Sequence, residues 1–342
     1  MKKTHLTKSL AIAFVAMLLA LAVAPATAFA SDGTWVKDGS HWKYRDSNDV
    51  YVADMVKKID GVWYGFDSHS YMQTGWFKWY LPGPGSGYYW YYFGKSGAAA
   101  VGWREIDGTW YYFDPDTAAM VSGCMREIKG KWYCFKSSGA MVTGWRGEPY
   151  SAIDINGNPV TATEWYYFTN SGAAAEGWRK VDGTWYYFST EGIPFMYADC
   201  TKEINGQLYG FKKSGAMAEG WFSASWNSDW YFASSSGAFI KGWMLDGNTW
   251  YWFEPTCLMH TGWAVLNGKT YFFKPSGAMV TGWWQDATNW YYFDKSGAMV
   301  TNRWVGDYYL GEYGEMLTDT HTPDGYYVNA YGQWDHNPPI AP

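Results

Sequence analysis

Beyond about residue 30, the chain alternates between short runs rich in aromatic residues and short polar turns. The clearest example is Gly102–Phe113, with the sequence Gly-Trp-Arg-Glu-Ile-Asp-Gly-Thr-Trp-Tyr-Tyr-Phe. An Asp-Gly pair between two β-prone runs is a strong hairpin signal, because a type I′ turn needs positive φ at both central residues and these two residues tolerate it. The pattern therefore predicts a β-hairpin that turns at Asp107 and Gly108.

Copies of this unit follow one another along the chain. The two tryptophans of a copy are seven residues apart at Trp35 and Trp42, Trp103 and Trp110, Trp178 and Trp185, Trp243 and Trp250, and Trp283 and Trp290. Asp-Gly and Asn-Gly pairs predict the turns of further copies at Asp38-Gly39, Asp60-Gly61, Asp182-Gly183, Asn205-Gly206, Asp246-Gly247 and Asn267-Gly268. Between copies lies a second signature, Ser-Gly-Ala-Met, as at Ser214–Met217, and a Gly-Trp pair follows it.

A longer period is superimposed on the hairpin repeat. Three copies lack the opening tryptophan: Met55–Phe66, Cys124–Phe135 and Cys200–Phe211. They carry Gly65, Cys134 and Gly210 where other copies have their second tyrosine. Their last residues are 69 and 76 positions apart, which is about three hairpins. If each hairpin is rotated by about a third of a turn, every third one lies on the same face of a solenoid. The predicted fold is therefore an all-β solenoid of repeated hairpins, with about three hairpins per turn.

The composition supports an aromatic core rather than an aliphatic one. Of the 342 residues, 21% are aromatic, and 25 are tryptophan. Rings must then supply most of the buried surface. The closing part of the chain departs from the repeat, as expected of a terminal unit that covers the last open face of an array. We expect an array over residues 31–304 and a capping repeat with a short tail over residues 305–342.

Residues 1–30 have the pattern of a secretory signal peptide. Lys2, Lys3 and Lys8 precede an apolar run, and Ala28-Phe29-Ala30 forms an A-x-A cleavage site. Cleavage would leave 23 basic and 32 acidic residues, a net charge of −9. This charge argues against nucleic acid and anionic lipid as partners. We expect a secreted protein that is associated with the cell wall or cell surface and is not inserted in a membrane after cleavage.

The sequence predicts no enzyme, no cofactor and no metal site. The histidines are scattered, and the cysteines lack C-x-x-C spacing. Asp154 and Glu164 share the longest loop and could be imagined as a glycosidase pair, but a polar loop is a poor setting for one. Export permits disulfides, and the pairing among Cys124, Cys134, Cys200 and Cys257 stays open.

Strand alternation gathers large rings on one face of a hairpin. Trp110 and Tyr112 share a face, and Trp103 lies across from Tyr112 in a two-residue hairpin. Such a cluster suits a quaternary ammonium group through cation–π attraction, and it suits sugars equally. The alternative interpretation is that every ring only contributes to packing.

The consensus Gly-Trp-x₆-Trp-Tyr-Tyr-Phe-x₃-Gly-Ala-Met-x-Thr-Gly-Trp, seen almost throughout residues 282–301, resembles the cell-wall-binding or choline-binding repeats of exported Gram-positive proteins. The resemblance covers roughly the whole chain after residue 30. It implies a left-handed hairpin solenoid. It also implies choline sites between consecutive hairpins, each formed by two tryptophans of one hairpin and an aromatic residue of the next, often with a methionine nearby. Related repeats bind glucans, and Ser96–Phe113 is similar to that branch. The resemblance leaves open whether the chain forms a homodimer through its terminal hairpins.

Transferred position by position, the resemblance implies a set of ligand-binding residues. The complete junctions would be Trp76 and Trp90 with Tyr112, Trp145 and Trp165 with Tyr187, Trp221 and Trp230 with Trp252, Trp243 and Trp250 with Phe272, and Trp283 and Trp290 with Tyr309 from the tail. Junctions that meet Gly65, Cys134 or Gly210 would lack a third wall. The first three complete junctions would line one edge of the rod and form the ligand face.

These features predict a non-catalytic exported protein that attaches to a repetitive cell-surface polymer, with choline-bearing teichoic acid or a glucan-type polysaccharide as its partner. Two alternatives remain: an adhesin-like module that binds glucan, and a purely structural spacer.

Overall fold

The computed structural model describes residues 33–81, 87–153, 158–223 and 228–339, and the predicted signal peptide lies outside them. Within these ranges the regular elements are all β-strands, so the predicted all-β class is confirmed. Consecutive strands pair into fourteen two-stranded antiparallel hairpins in the described residues. No helix among them has the length and apolarity needed to cross a membrane.

The chain forms two compact units. The first comprises the described residues up to Ser122, together with Ser137–Ala140. The second comprises Gly123–Lys136 and the described residues from Met141 onward. Hairpins 1 to 4 belong to the first unit: β1 (Gly33–Asp38) with β2 (His41–Asp46), β3 (Met55–Ile59) with β4 (Val62–Phe66), β5 (Gly75–Leu81) with β6 (Gly87–Phe93), and β7 (Gly102–Ile106) with β8 (Thr109–Phe113).

Hairpins 5 to 14 belong to the second unit. They are β9 (Cys124–Ile128) with β10 (Lys131–Phe135), β11 (Gly144–Ile153) with β12 (Pro159–Phe168), β13 (Gly177–Val181) with β14 (Thr184–Phe188), β15 (Cys200–Ile204) with β16 (Gln207–Phe211), β17 (Gly220–Phe222) with β18 (Tyr231–Ala233), β19 (Gly242–Asp246) with β20 (Thr249–Phe253), β21 (Gly262–Leu266) with β22 (Lys269–Phe273), β23 (Gly282–Gln285) with β24 (Trp290–Phe293), β25 (Arg303–Val305) with β26 (Tyr308–Leu310), and β27 (Thr320–His321) with β28 (Tyr327–Val328).

The predicted Asp-Gly turn is present in hairpin 4. Asp107 and Gly108 have φ values of 49° and 74°, as a type I′ turn requires. The predicted turn pairs of hairpins 1 and 10 are wrong by one residue. Asp38 and Asp246 are paired strand residues, and the turns begin at Gly39 and Gly247. In both hairpins the first tryptophan still lies across from an aromatic residue, so ring pairing fixes the register and the turn follows it.

The core of each unit is built from the last residue of each hairpin. In ten hairpins this residue is a phenylalanine with at most 2% of its surface exposed: Phe66, Phe93, Phe113, Phe135, Phe168, Phe188, Phe211, Phe253, Phe273 and Phe293. The chain then turns back and forms a single bridge to the same phenylalanine, as Met196 does to Phe188. Burying one such ring contributes about 1.5–3 kcal/mol, so the repeated phenylalanine replaces an aliphatic core.

All four cysteines are free thiols in this structure. Cys124 and Cys134 lie on paired strands but face different partners, because Cys124 pairs with Phe135 and Cys134 pairs with Met125. Burial raises the pKa of the thiols of Cys134 and Cys257, as expected of inert core cysteines.

Candidate functional site

Two tryptophans of one hairpin form the first part of the candidate site. In hairpin 7, the rings of Trp178 and Trp185 lie 6.3 Å apart with their planes at 90°. Strand pairing explains this contact. Trp178 on β13 lies across from Tyr187 on β14. Tyr187 comes two residues after Trp185, so both of these side chains lie on the same face of the hairpin as Trp178. Similar pairs, at 6.1–6.4 Å, are Trp76 with Trp90, Trp221 with Trp230, Trp243 with Trp250, and Trp283 with Trp290. Each pair therefore forms a corner of two indoles.

The third ring comes from the first tyrosine of the next hairpin, one residue before the predicted position. Tyr111, Tyr186, Tyr251, Tyr271 and Tyr308 lie 4.8–5.1 Å from the opening tryptophan of the preceding hairpin. The predicted third walls are therefore wrong. Each of those residues lies against the opening tryptophan of its own hairpin, at 5.0–5.3 Å: Tyr112, Tyr187, Trp252, Phe272 and Tyr309.

Strand alternation explains the error. The second tyrosine shares a face with the two tryptophans of its own hairpin, whereas the first tyrosine points to the opposite face, toward the preceding hairpin. We call the contact between a hairpin and the next one a seam. At the five seams described above, the tryptophan face of one hairpin meets the tyrosine and phenylalanine face of the following one.

Two of the predicted second tryptophans, Trp90 and Trp230, have surroundings that differ from those of the other pairs. Trp90 lies across β5 and β6 from Lys78, whose Nζ is 5.7 Å from the indole centroid, so an internal cation already stands over this ring. The cause is cross-strand pairing, which places side chains of directly opposite residues together.

Trp230 differs in its backbone. It directly precedes β18, and the strand pairing of hairpin 9 ends at Phe222 and Tyr231, one residue short of it. Its ring is nevertheless 6.3 Å from that of Trp221, and its carbonyl oxygen accepts the N–H of Met259 at 2.9 Å. Trp90 and Trp230 are 41% and 46% exposed. Both tryptophans therefore lie in a corner of two indoles, paired with Trp76 and Trp221 as predicted.

Two seams that were predicted to lack a third wall are complete. Tyr64 lies 4.8 Å from Trp35, and Tyr209 lies 4.8 Å from Trp178. Gly65 and Gly210 were thought to leave these seams open, but these glycines follow the tyrosines and lie on the other face of their strands.

A methionine from the connecting segment completes the group. Met196 follows hairpin 7, and its backbone N–H donates to the carbonyl oxygen of Trp165 at 2.8 Å. Six further methionines donate in the same way to the second tryptophan of a pair: Met72, Met120, Met217, Met259, Met279 and Met316. We call the resulting group of two tryptophans, one tyrosine and one methionine a cage.

A loop from farther along the chain borders each cage cavity. The cavity of about 300 Å³ between hairpins 6 and 7 is lined by the cage residues Trp145, Trp165, Tyr186 and Met196 and by Lys213 and Ser214 from the segment after hairpin 8. The next residue, Gly215, has a φ of +80°, and a Cβ there would overlap the side chain of Met196. The positive φ favours glycine, and an alanine there would also have to displace the end of the Met196 side chain.

Three other cavities have the same construction. Their cage residues are Trp35, Trp42, Tyr64 and Met72 (about 350 Å³), Trp283, Trp290, Tyr308 and Met316 (about 340 Å³), and Trp178, Trp185, Tyr209 and Met217 (about 860 Å³). The loop residues bordering them differ: Lys95 and Ser96, Tyr331, and Ser235 and Ser236, respectively.

The cage tryptophans are much more exposed than the core rings. Trp145 and Trp165 are 37% and 43% exposed, whereas Phe168 and Phe188 are fully buried. The interpretation that every ring only contributes to packing does not account for this difference. A carboxylate lies beside one cage, because Trp221 Nε1 donates to Asp246 Oδ2 at 2.9 Å.

Every third seam is closed by the chain's own side chains. After hairpin 8, Leu208 stands in place of the second tryptophan, and the buried Phe222, Tyr231 and Phe239 pack there. After hairpin 2, Phe77 packs beside Val56 and Trp63. After hairpin 11, Thr270 replaces the second tryptophan, and Trp284 lies 3.8 Å from Phe272.

The seam after hairpin 5 also lacks an opening tryptophan, since Met125 stands there and packs with Tyr166 and Val142. The closure of these seams was not predicted, although the sequence carries a signal for it. At three of these seams, an aromatic residue directly follows the Gly-Trp pair of the next hairpin: Phe77, Phe222 and Trp284.

Comparison with known proteins identifies the repeat. Choline-binding repeat models match residues 86–124, 150–192 and 260–304, and a second such model matches residues 298–334. A model of a cell wall binding repeat matches residues 126–141. The chain belongs to the choline-binding repeat family. The recurring cages and this membership support a choline-binding role at the cell wall.

Solved structures with similar sequences include three proteins of Streptococcus pneumoniae. CbpJ of strain TIGR4 is 26% identical over 88% of this chain and 99% of its own, with a TM-score of 0.39. Choline binding protein F, solved in the presence of a peptidoglycan analogue, is 27% identical over 89% of this chain and 98% of its own, with a TM-score of 0.45. The modular autolysin LytC, in complex with a synthetic peptidoglycan ligand, is 20% identical over 72% of this chain and 52% of its own, with a TM-score of 0.44. No curated protein matches the chain significantly.

Proposed function

We propose that this protein is a non-catalytic, exported binding protein that attaches to choline-bearing teichoic acid through its open cages. The observation that carries the proposal is the recurrence of one construction, two perpendicular indoles with a tyrosine and a methionine, in which the indoles stay partly exposed. Cation–π attraction of a quaternary ammonium group to each ring is worth roughly 0.5–2 kcal/mol.

The proposed ligand-binding residues are the exposed tryptophan pairs, the first tyrosine of the next hairpin and the methionine that follows it. They include the tryptophans first assigned from the sequence, with the tyrosines corrected by one position: Trp76 and Trp90 with Tyr111, Trp145 and Trp165 with Tyr186, Trp221 and Trp230 with Tyr251, Trp243 and Trp250 with Tyr271, and Trp283 and Trp290 with Tyr308. Two groups are added to them, Trp35 and Trp42 with Tyr64, and Trp178 and Trp185 with Tyr209.

Cage shape favours choline over a glucan. A pyranose ring stacks on one flat aromatic face, whereas a trimethylammonium group is nearly spherical and can contact several walls at once. Trp178 lies at 90° to Trp185 and at 67° to Tyr209, so the walls face inward from different directions. This arrangement encloses a compact cation better than it supports a sugar ring.

Chromatography on a choline-analogue matrix, with elution by free choline, tests the proposal. We expect retention at moderate salt and release by choline, and no retention on immobilised dextran. Retention on dextran with no retention on the choline matrix would favour the glucan alternative, and retention on neither would favour the structural spacer.

A further inference from the structure

Hairpin 3 is longer than the ordinary repeat and carries an additional pair of aromatic residues. Its strands β5 and β6 have seven residues each, whereas the strands of hairpin 4 have five. In the added part, Tyr80 lies across from Tyr88, two residues beyond the pair formed by Lys78 and Trp90. Because residues two apart in a strand share a face, these four side chains lie on one side of the hairpin. We call Lys78, Tyr80 and Tyr88 the tyrosine platform.

The opposite side of hairpin 3 attaches the added part to the rest of the first unit. Trp79 and Tyr89 pack against the cluster that contains the buried Tyr91. The indole of Trp79 also forms a hydrogen bond, since its Nε1 donates to the carbonyl oxygen of Asp54 at 2.9 Å. These contacts hold the added part in place, so the fold fixes the direction in which the tyrosine platform faces.

The length of the hairpin does not explain the aromatic pair. Tyr80 and Tyr88 are 46% and 68% exposed, and their ring centroids are 5.2 Å apart. Hairpin 6 is longer still, with strands of ten residues, and it has Pro149 and Thr163 at the equivalent positions. An exposed group of large rings that packing does not explain marks an interaction surface. The tyrosine platform is therefore a candidate binding site outside the cages.

The lysine of the platform decides which kind of ligand fits. Lys78 Nζ lies over the ring of Tyr88, 4.9 Å from its centroid. Because a cation is already in place at this tyrosine, a second one such as a trimethylammonium group would be repelled. The ammonium has three N–H groups, which donate to oxygen atoms. A neutral ligand with an apolar face for the rings and acceptor oxygens for the ammonium suits all three residues.

We propose that the tyrosine platform binds a neutral sugar residue of a glycan chain. The C–H groups of a pyranose ring pack on the exposed faces of Tyr80 and Tyr88, and Lys78 Nζ donates to its oxygens. The platform lies beside the cage of Trp76 and Trp90, but it binds its sugar independently of choline. It is a single weak site, so by itself it does not retain the protein on immobilised dextran.

NMR of the full chain with ¹³C-labelled tyrosine side chains tests this inference. The signals of Tyr80 and Tyr88 are assigned by Tyr→Phe substitution. The protein is then titrated with two neutral tetrasaccharides, chitotetraose and maltotetraose. We expect at least one of these probes to shift both tyrosine signals in a saturable way, and the midpoint of that shift gives the affinity of the platform.

Substitutions identify the residues that carry the binding. Tyr88→Ala should weaken binding of the responding sugar by about fivefold or more, because a large contact side chain is removed. Lys78→Met keeps most of the apolar stem and should weaken it by about 2- to 12-fold, the range for one hydrogen bond. Tyr150→Ala is the matched control, because Tyr150 is exposed on hairpin 6 and lies across from Ala162 rather than a second ring. It should leave the affinity unchanged.

Three results would overturn the assignment. The first is the absence of a saturable shift of Tyr80 and Tyr88 with either sugar. The second is a loss of affinity in Tyr150→Ala equal to that in Tyr88→Ala, and the third is an affinity that neither Tyr88→Ala nor Lys78→Met changes.

Sedimentation velocity tests a different occupant of the platform. Self-association that Tyr88→Ala abolishes would show that a second copy of the chain covers the two tyrosines, and it would contradict the sugar site. Because none of these experiments contains choline, failure of this inference leaves the proposed function of the cages unaffected.

Discussion

At the scale of single residues, the two tryptophans of a cage have different roles. The opening tryptophan is packed by the fold: Trp178 lies within 6 Å of Tyr187, Tyr209 and Phe211. The second tryptophan is held mainly through its backbone carbonyl, which accepts the methionine N–H, so its ring is free to contact a ligand. Substitution of the second tryptophan should therefore separate binding from folding.

Trp165→Ala should weaken choline binding at its own cage by about 2- to 30-fold, the range for one cation–π contact, with little loss of stability. Trp132→Ala is the matched control, because Trp132 holds the same position in hairpin 5, whose seam lacks an opening tryptophan. It should lower stability and leave binding unchanged. Calorimetric titration and urea unfolding of both variants provide the comparison, and equal loss of binding in both would contradict the division into open and closed seams.

The sequence identifies these residue types but not which tyrosine becomes the third wall. Alternation assigns Tyr186 and Tyr187 to opposite faces of β14. It does not show which face meets the preceding hairpin, since that depends on how one hairpin stacks on another. At every predicted cage, the tyrosine that forms the third wall therefore lies one residue before the residue that was predicted. The two tryptophans of each cage lie together as predicted.

At the scale of elements, the repeating unit is a hairpin with its returning segment and a loop from farther along the chain. The loop glycine and the cage methionine are in contact, so the two parts cannot vary independently. Gly215 and Gly183 make this contact testable. Both have φ near +80°, but a Cβ at Gly215 meets Met196, whereas a Cβ at Gly183 has open space.

Gly215→Ala should destabilise the second unit by more than Gly183→Ala does. Both variants incur the cost of a positive φ, of order 1 kcal/mol or more. Only Gly215→Ala adds a collision in the packed interior, for which about 1–3 kcal/mol is typical. Urea unfolding measures the difference, and equal destabilisation would show that the methionine simply moves aside.

Near the C-terminal end of the described residues, an aspartate joins hairpins 13 and 14. Asp324 accepts hydrogen bonds from Thr322 Oγ1 at 2.6 Å and from Trp304 Nε1 at 2.9 Å. Burial alone would raise its pKa, but these hydrogen bonds outweigh burial and hold the pKa below the usual 3.8. A depressed pKa means that the carboxylate stabilises the folded protein above its unfolded pKa, and that this contribution is lost as the pH falls through the folded pKa.

Acidification through the lowered pKa of Asp324, which lies below 3.8, should therefore release the indole of Trp304, while neutral pH should leave it bonded. The Trp304 Nε1–H resonance, followed by NMR from pH 6 to pH 2, reports this directly. Asp324→Asn should abolish the response below pH 4. A transition at the usual carboxyl pKa in the unaltered protein would contradict the proposed hydrogen-bonding effect.

At the scale of the whole molecule, the array offers several weak sites rather than one strong one. Under the proposed function, a repetitive polymer engages several cages at once, so its overall affinity should exceed that of any single cage by large factors. The sequence revealed the threefold period through its missing opening tryptophans. That side chains such as Phe222 fill the corresponding seams was not predicted, because the direction in which the residue after a Gly-Trp pair points depends on how one hairpin stacks on another.

Combined substitutions should reveal this cooperation. Trp165→Ala together with Trp185→Ala and Trp250→Ala should reduce retention on choline-bearing walls far more than the three single losses suggest, while free choline still binds at the remaining cages. Sedimentation with purified walls measures the loss. If the triple variant loses only as much wall binding as the sum of the losses in the three single variants, one cage engages the polymer at a time.

The most direct test of the central claim is a calorimetric titration of the protein with choline and with its neutral isostere 3,3-dimethyl-1-butanol, which replaces the nitrogen by carbon. Cation–π attraction is worth roughly 0.5–2 kcal/mol per ring, and each cage has three rings, so choline should bind at least about tenfold more tightly than the isostere. Equal affinity of the two compounds, or binding of isomaltose with no heat from choline, would contradict the account.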